Sequence, residues 1–261
     1  MGSSEQLIYL LHQAKIDELK LLAKILDVDA VNSSQIVVSL REAGGHSIAN
    51  FFRDEGVPYH EIVNDVAQEV ECGGYGSLSL AERNVVDLEE KIVKKVFENM
   101  LSKMEPGERR KFEEDLLKEA KKYSDSYTGL AATGGGLVVA GMAGFAPYLM
   151  ATSLTSAFAG AFGVTMSFGF YTSLTSFMSV ALGPVGWAFL AGAAIFKVGS
   201  TNYKKTIPCV VIISSIRQRI KIDNEQMSIY GITYDINQKR YKYKQYKYEK
   251  LSDAIDYAKK Y

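Results

Sequence analysis

The chain has 261 residues, 47% hydrophobic and 23% charged, with 30 Lys/Arg against 30 Asp/Glu, 22 Gly and 5 Pro. These values exclude a disordered chain, a collagen-like fibre and a small disulfide scaffold, and they leave room for one large domain or two modest ones. The zero net charge conceals a segregation: residues 1–125 carry 16 Lys/Arg and 24 Asp/Glu, residues 126–196 carry none of either, and residues 197–261 carry 14 and 6.

No apolar run follows a basic patch at the N-terminus, so no secretory leader is expected, and Gln6 fails the myristoylation pattern. Residues 5–27 read as helix, with Leu7, Leu10, Leu11, Leu19, Leu22 and Leu26 near a 3.6-residue period and a break expected around Lys15–Glu18. Asn32 with Gln35 forms a capping-box pattern for a helix to Glu42, ended by Gly44-Gly45. Residues 46–54 read as a short helix before Gly56 and Pro58. The next helix, Tyr59 to Glu71, places Ile62, Val63, Val66, Ala67 and Val70 on one face, and Gly73–Gly76 is a loop. Ser79 with Glu82 is read as the cap of a helix running to Met104. Pro106 opens another, to Tyr123, with Phe112, Leu116, Leu117 and Ala120 apolar. Residues 1–125 are therefore an acidic, all-α domain.

Residues 126–196 differ in kind. Gly, Ala, Ser and Thr supply 40 of these 71 uncharged residues. A bilayer-spanning helix needs ~20 apolar residues, so the length suffices for two or three spans, although Leu and Ile are sparse. Small residues recur at helix-interface spacing: Gly136, Ala140 and Gly144, then Ala188 and Gly192. Pro147 and Gly183-Pro184 are turn or kink points. Every odd position from Ala151 to Gly169 is small, while Phe158, Phe162, Val164, Met166, Phe168 and Phe170 alternate with them. That period of two admits a membrane β-strand, but helix is the preferred reading because Ala and Met favour it.

Residues 197–222 read as a basic amphipathic helix. Ile207, Val210, Val211, Ile213, Ser214 and Ile216 would face inward, Pro208 would sit in the first turn, and Arg217, Arg219 and Lys221 would lie near the C-terminal dipole. Residues 223–261 read as a strand–strand–helix module. Ser228–Asp235 and the Tyr/Lys alternation Arg240–Tyr248 supply the strands. A helix opened by Ser252 or Asp253 carries Leu251, Ala254, Ile255 and Ala258 on one face. Tyr241, Tyr243, Tyr246 and Tyr248 either cover that helix or bind a partner; nucleic-acid stacking is the less favoured role.

No catalytic constellation is visible. His12, His46 and His60 lack metal-ligand spacing, Cys72 and Cys209 form no metal or redox motif, and Thr133-Gly134-Gly135-Gly136 lacks the Lys of a phosphate loop. The two cysteines suggest a reducing compartment. The expectation is a non-enzyme with no cofactor and no metal.

Two stretches resemble the YaaW family of bacterial proteins. One is Gly44-Gly-His-Ser-Ile-Ala-Asn-Phe-Phe-Arg53, continuing through Tyr59-His-Glu-Ile-Val-Asn-Asp-Val66. The other runs from Gly183-Pro-Val-Gly186 through Ser200, Tyr203 and Thr206-Ile-Pro208 to Ile220. Leu10-Leu11 and Leu22-Ala23 are similar to that family's opening helices. The resemblance implies a helical protein, loosely grouped with a chaperone for respiratory-complex assembly, and supplies no catalytic residues. Residues 223–261 and much of 151–180 lie outside it.

The sequence thus predicts a mainly α protein: a helical bundle, a membrane-competent uncharged hairpin, and a small C-terminal β-hairpin plus helix. The leading functional expectation is a pore-forming or membrane-disrupting effector. It would be cytoplasmic at rest and move to the inner membrane on a trigger, where residues 126–196 insert and self-associate as a toxin or antiphage protein. Its partners would be the bilayer, further copies of itself and a trigger protein sensed by the C-terminal module. The alternatives are an integral membrane protein and a soluble chaperone-like assembly factor.

Overall fold

A computed structural model describes residues 3–29, 31–45, 56–76, 78, 84–121, 130–133, 136–139, 146–166, 203–235, 238 and 240–261. The fold is mainly helical. It divides into two compact units, Met1–Ile216 and Arg217–Tyr261.

In the first unit the predicted break in the opening helix is real: α1 is Ser3–His12 and α2 is Ile16–Leu26. The carboxylate of Glu18 accepts the Lys15 backbone N–H at 2.7 Å, which caps a donor that the start of α2 would otherwise leave open. Helix α3, Ser33–Ala43, opens as expected on Asn32, whose Oδ1 accepts from the N–H groups of Ser34 and Gln35 at 2.8 and 3.3 Å. Helix α4, Tyr59–Glu69, buries Ile62, Val63, Val66 and Ala67 along the predicted stripe. Helix α5, Val85–Lys103, opens one turn later than the sequence suggested. Its cap is Asn84, with Oδ1 bound to the N–H groups of Val86 and Asp87; Ser79 and Glu82 lie outside the described residues, as does the helix expected at 46–54. Helix α6 is Pro106–Lys121, with Phe112 and Leu116 buried.

Helices α1 and α2 pack on α3, α1 on α4, and α4 on α5. Tyr59 on α4 donates its hydroxyl to the buried Glu89 carboxylate on α5 at 2.8 Å, so this buried acid is hydrogen-bonded. Helix α2 ends on Asp27 and α4 ends before Glu71, both in the left-handed region (φ 58° and 59°). In each case the next residue's N–H reaches back five residues: Val28 to Ala23 at 2.9 Å, and Cys72 to Ala67 at 3.0 Å. Asp27 is held further by Lys205 at 2.8 Å, and this hydrogen-bonded cation lowers the Asp27 carboxyl from its ordinary value.

A two-stranded antiparallel hairpin follows, β1 Leu130–Thr133 and β2 Gly136–Val139, with Thr133 opposite Gly136. Helix α7, Ala146–Ala161, packs on α5. Helix α8, Tyr203–Tyr230, runs past the end predicted at residue 222. Pro208 therefore lies inside it rather than in its first turn, and leaves the Lys204 carbonyl without an N–H four residues on. Residues 206–216 are all buried, so this portion is enclosed on every side and not amphipathic.

The second unit carries a three-stranded antiparallel sheet, β3 Thr233–Asp235, β4 Arg240–Tyr243 and β5 Tyr246–Tyr248, covered by α9, Leu251–Ala258. Two expectations change here. Ser228–Tyr230 belong to α8, so the strand begins only at Thr233. The segment Arg240–Tyr248 is two strands rather than one, turned at Lys244 with φ +52°. The opener of α9 is also different: Lys250 occupies the cap position, and Ser252 bonds only to Asp253.

Two substitutions should move stability in opposite directions. Glu71→Gly relieves a left-handed non-glycine residue and should raise unfolding free energy by about 1 kcal/mol. A side chain at Gly44 would overlap the Ile62 side chain, so Gly44→Ala should cost about 1–3 kcal/mol. Urea denaturation of both variants measures the two shifts.

Candidate functional site

The uncharged third of the chain contributes α7. Every residue from Ala151 to Ala159 is buried, including Phe158 and four hydroxyl-bearing side chains. Those hydroxyls could have been a costly load. Instead each donates to a carbonyl four residues back: Thr152 to Tyr148 at 2.7 Å, Ser153 to Leu149 at 2.7 Å, Thr155 to Ala151 at 2.8 Å and Ser156 to Thr152 at 3.0 Å. The C-terminus closes on itself as well. Gly163, at φ +68°, permits the chain reversal in which Val164 N–H bonds the Ala159 carbonyl at 2.8 Å and Gly163 N–H the Gly160 carbonyl at 3.1 Å. The four buried Ser/Thr hydroxyls of α7 therefore need no partner outside the helix.

The predicted insertion residues divide. Phe158 is buried on α7, Phe162 and Val164 are half-buried beyond its end, and Met166 is buried. Helix is the correct reading of the alternating segment as far as Ala161. Pro147 is the second residue of α7, where a proline starts a helix rather than kinking one. Gly136 is a correction: it stands on β2, so it is not the first member of a small-residue helix face. The overlooked signal was Gly134-Gly135 between two short apolar runs, a hairpin pattern. Ala140, Gly144, Phe168, Phe170, Gly183, Pro184 and Gly192 lie outside the described residues.

A 16-residue helix spans about 24 Å, less than the ~30 Å of a hydrocarbon core. Among the described residues no helix is long and apolar enough to cross a membrane. The transmembrane expectation therefore has no counterpart in α7 as it is folded here.

In the second unit the register places Tyr234 opposite Tyr241, Tyr241 opposite Tyr248, and Tyr243 opposite Tyr246. All five tyrosines share one face of the sheet. Tyr257 on α9 lies over three of them, its ring centroid 6.2 Å from Tyr243, 5.1 Å from Tyr246 and 6.0 Å from Tyr248. The other face is charged and internally paired: Lys242 with Asp235 at 2.6 Å, Arg240 with Glu249 at 2.7 Å, and Lys247 with the Gln238 amide at 2.8 Å. Of the two roles open to these tyrosines, this geometry serves the covering of α9.

Sequence reading also missed a polar cavity of about 280 Å³ between α4 and the loop after it. His60, Glu61, Asn64, Asp65, Gln68, Tyr75 and Gly76 line it, and Asn64 Oδ1 accepts the Tyr75 N–H at 2.9 Å. The spacing of 60, 64 and 68 on one helical face was its only trace in the sequence. Burial raises the Tyr203 phenol, and the negative charges of Asp65 and Glu69 add to that shift. Among the described residues no cluster of three or more His, Cys, Asp or Glu is placed to hold a metal ion.

The chain is similar to bacterial proteins named UPF0174. Two come from Helicobacter pylori strain J99. One is 26% identical over 194 residues, covering 74% of each chain; the other is 26% identical over 195 residues, covering 72% of this chain and 89% of the relative. A third, from strain 26695, is 28% identical over 198 residues, covering 72% and 88%. No family model and no solved structure matches. These relatives agree with the expected likeness to bacterial proteins over most of the chain; the YaaW label is narrower than they support.

Tyr257 gives a direct test of the tyrosine packing. Its hydrogen bond with Tyr246, followed by burial and its neighbours' charges, pushes its phenol up to about 12. A raised phenol contributes stability that is full below the ordinary value near ~10 and is lost as pH rises through the folded value. Ultraviolet titration should show a late-ionising tyrosine fraction that includes Tyr257, and Tyr246→Phe should bring part of it earlier.

Proposed function

We propose that this protein is a membrane-disrupting effector that stores its uncharged segment inside a helical body and releases it into a bilayer as an oligomer. The observation that carries this reading is α7: free of charge, buried from Ala151 to Ala159, with its four Ser/Thr hydroxyls satisfied within the helix. Such a helix loses little when lipid replaces protein around it. Hydrocarbon solvates its apolar surface as protein does, and the Ser/Thr hydrogen bonds travel with the helix. The uncharged sequence from Ser126 to Phe196 provides length on both sides of α7 for a full span after rearrangement. Its Gly, Ala and Ser residues favour close helix–helix approach in lipid. In a bacterial cell this activity would suit a toxin or an abortive-infection protein, resting in the cytoplasm and acting at the inner membrane.

The burial of Ala151–Ala159 and the packing of α7 on α5 also favour a second reading. In it α7 is only a core helix, and the protein is a chaperone-like assembly factor, the role to which the resemblance to the YaaW family leans. Val164 separates the two, because it is half-buried past the helix end and tolerates a charge in the folded body. Purified protein added to dye-loaded vesicles should release dye under some condition of pH or lipid composition. Val164→Lys should fold normally yet reduce release by at least tenfold, since a cation inside hydrocarbon costs about 2.5–3.5 kcal/mol. Absence of release under every condition overturns the effector reading.

A further inference from the structure

The register of the second unit brings one set of side chains to one end of its sheet. Thr233 pairs with Lys242, so the last turn of α8, which feeds β3, arrives where β4 turns into β5. The end of α9 returns to the same place. Lys259 Nζ lies 5.9 Å from the Tyr230 ring, and Tyr257 packs on Tyr261 with centroids 4.7 Å apart. Lys244 Nζ, in the turn, lies 5.1 Å from the Tyr243 ring and 3.4 Å from the main-chain oxygen of Tyr261. This end thus collects three exposed lysines, Lys244, Lys259 and Lys260, with Ile229 at 69% exposure, Tyr246 at 43% and Tyr261 at 75%.

The unit's paired carboxylates lie elsewhere. Asp235 and Glu249 serve Lys242 and Arg240, Asp235 being opposite Arg240 at the far end of the register; Asp223 serves Arg219 within α8. Among the described residues no Asp or Glu side chain forms an ion pair with Lys244, Lys259 or Lys260. Cations that form no ion pair with an Asp or Glu side chain, Asp256 one turn back on α9 included, around an exposed aliphatic and exposed phenols match the layered chemistry of a bilayer surface. Phosphate headgroups take the ammonium groups, and the boundary with the acyl chains takes Ile229 and the rings. Stacking of nucleobases fits less well: Tyr243, Tyr246, Tyr248 and Tyr261 already lie against Tyr257, and an exposed isoleucine offers a base nothing.

We propose that this end of the Arg217–Tyr261 unit is a docking surface for anionic lipid headgroups, which attaches the whole protein to a membrane before any segment enters it. The inference rests on the membrane-acting reading above but concerns attachment, not insertion. Flotation of the full chain with vesicles tests it. The parent should float with vesicles of phosphatidylcholine containing phosphatidylglycerol, and not with phosphatidylcholine alone. The triple variant Lys244→Gln/Lys259→Gln/Lys260→Gln should need on the order of 100-fold more anionic lipid for half-binding. Ile229→Ser should weaken binding at high salt as well as low, because its contribution is not screened. Near-UV circular dichroism verifies that the tyrosine cluster survives, and Lys260→Gln alone, with a smaller shift, keeps the test available if the triple variant does not fold.

Equal flotation of parent and triple variant overturns the proposal. So does equal parent binding to neutral and anionic vesicles, or binding to a thymidine oligonucleotide or polyglutamate with none to vesicles. Dye release measured in parallel keeps the two readings apart. Lysine-dependent attachment without release sinks only the effector reading, and release indifferent to the lysines sinks only this surface.

Discussion

A helix can lie wholly out of water only if its own atoms satisfy the polar groups it carries. The buried stretch Ala151–Ala159 of α7 meets that constraint with four Ser/Thr side chains turned back onto carbonyls of the preceding turn, and a glycine-mediated closure follows at the helix end. The rest of the first unit is consistent with it. Helix α5 offers an apolar surface with Leu88, Ile92, Val96, Phe97 and Met100 buried, and binds one side to α4 and another to α7. Apart from the hydrogen-bonded Glu89, α5 buries no charge. Helix α7 brings no charge to that surface, so the contact between the two helices strands no ion.

The second unit solves a different problem. Its 45 residues are too few for a large aliphatic core, and tyrosine takes its place. One sheet face and α9 pair aromatic rings at 5.1–6.2 Å, while on the opposite face Asp235 and Glu249 pair with Lys242 and Arg240 and the Gln238 amide accepts a hydrogen bond from Lys247. Burying the rings uses the bodies of the tyrosines, and at one end Lys244, Lys259 and Lys260 form no ion pair with a described Asp or Glu. The basic excess counted along the last third of the sequence thereby becomes a local surface rather than an average.

Local signals were legible wherever one residue's chemistry decides. Asn32 caps α3 because a short amide reaches two backbone donors, and the apolar stripe of α4 buries because its period is that of a helix. Signals failed where two readings shared one pattern. Ser79 and Asn84 both suit a helix start, and Asn84 caps α5. The run Tyr243-Lys-Gln-Tyr246 slips the alternation by one residue. In a single strand that slip would put the two tyrosines on opposite faces; a turn at Lys244 restores both to one face. Gly136 looked like a helix-interface residue because spacing alone cannot distinguish a small residue in a helix from one beside a hairpin turn.

By itself the sequence determined the helical class, the helix stripes of the first 125 residues, and an uncharged middle able to leave water, because propensity, periodicity and charge are properties of short segments. Only the tertiary structure decided that 206–216 is enclosed on every side, that His60, Asn64 and Gln68 meet Tyr75 around a cavity, and that the C-terminal lysines gather away from the paired carboxylates. Each of these depends on which distant segments share a neighbourhood. Packing and strand register set that, and neither is written in any single stretch of chain.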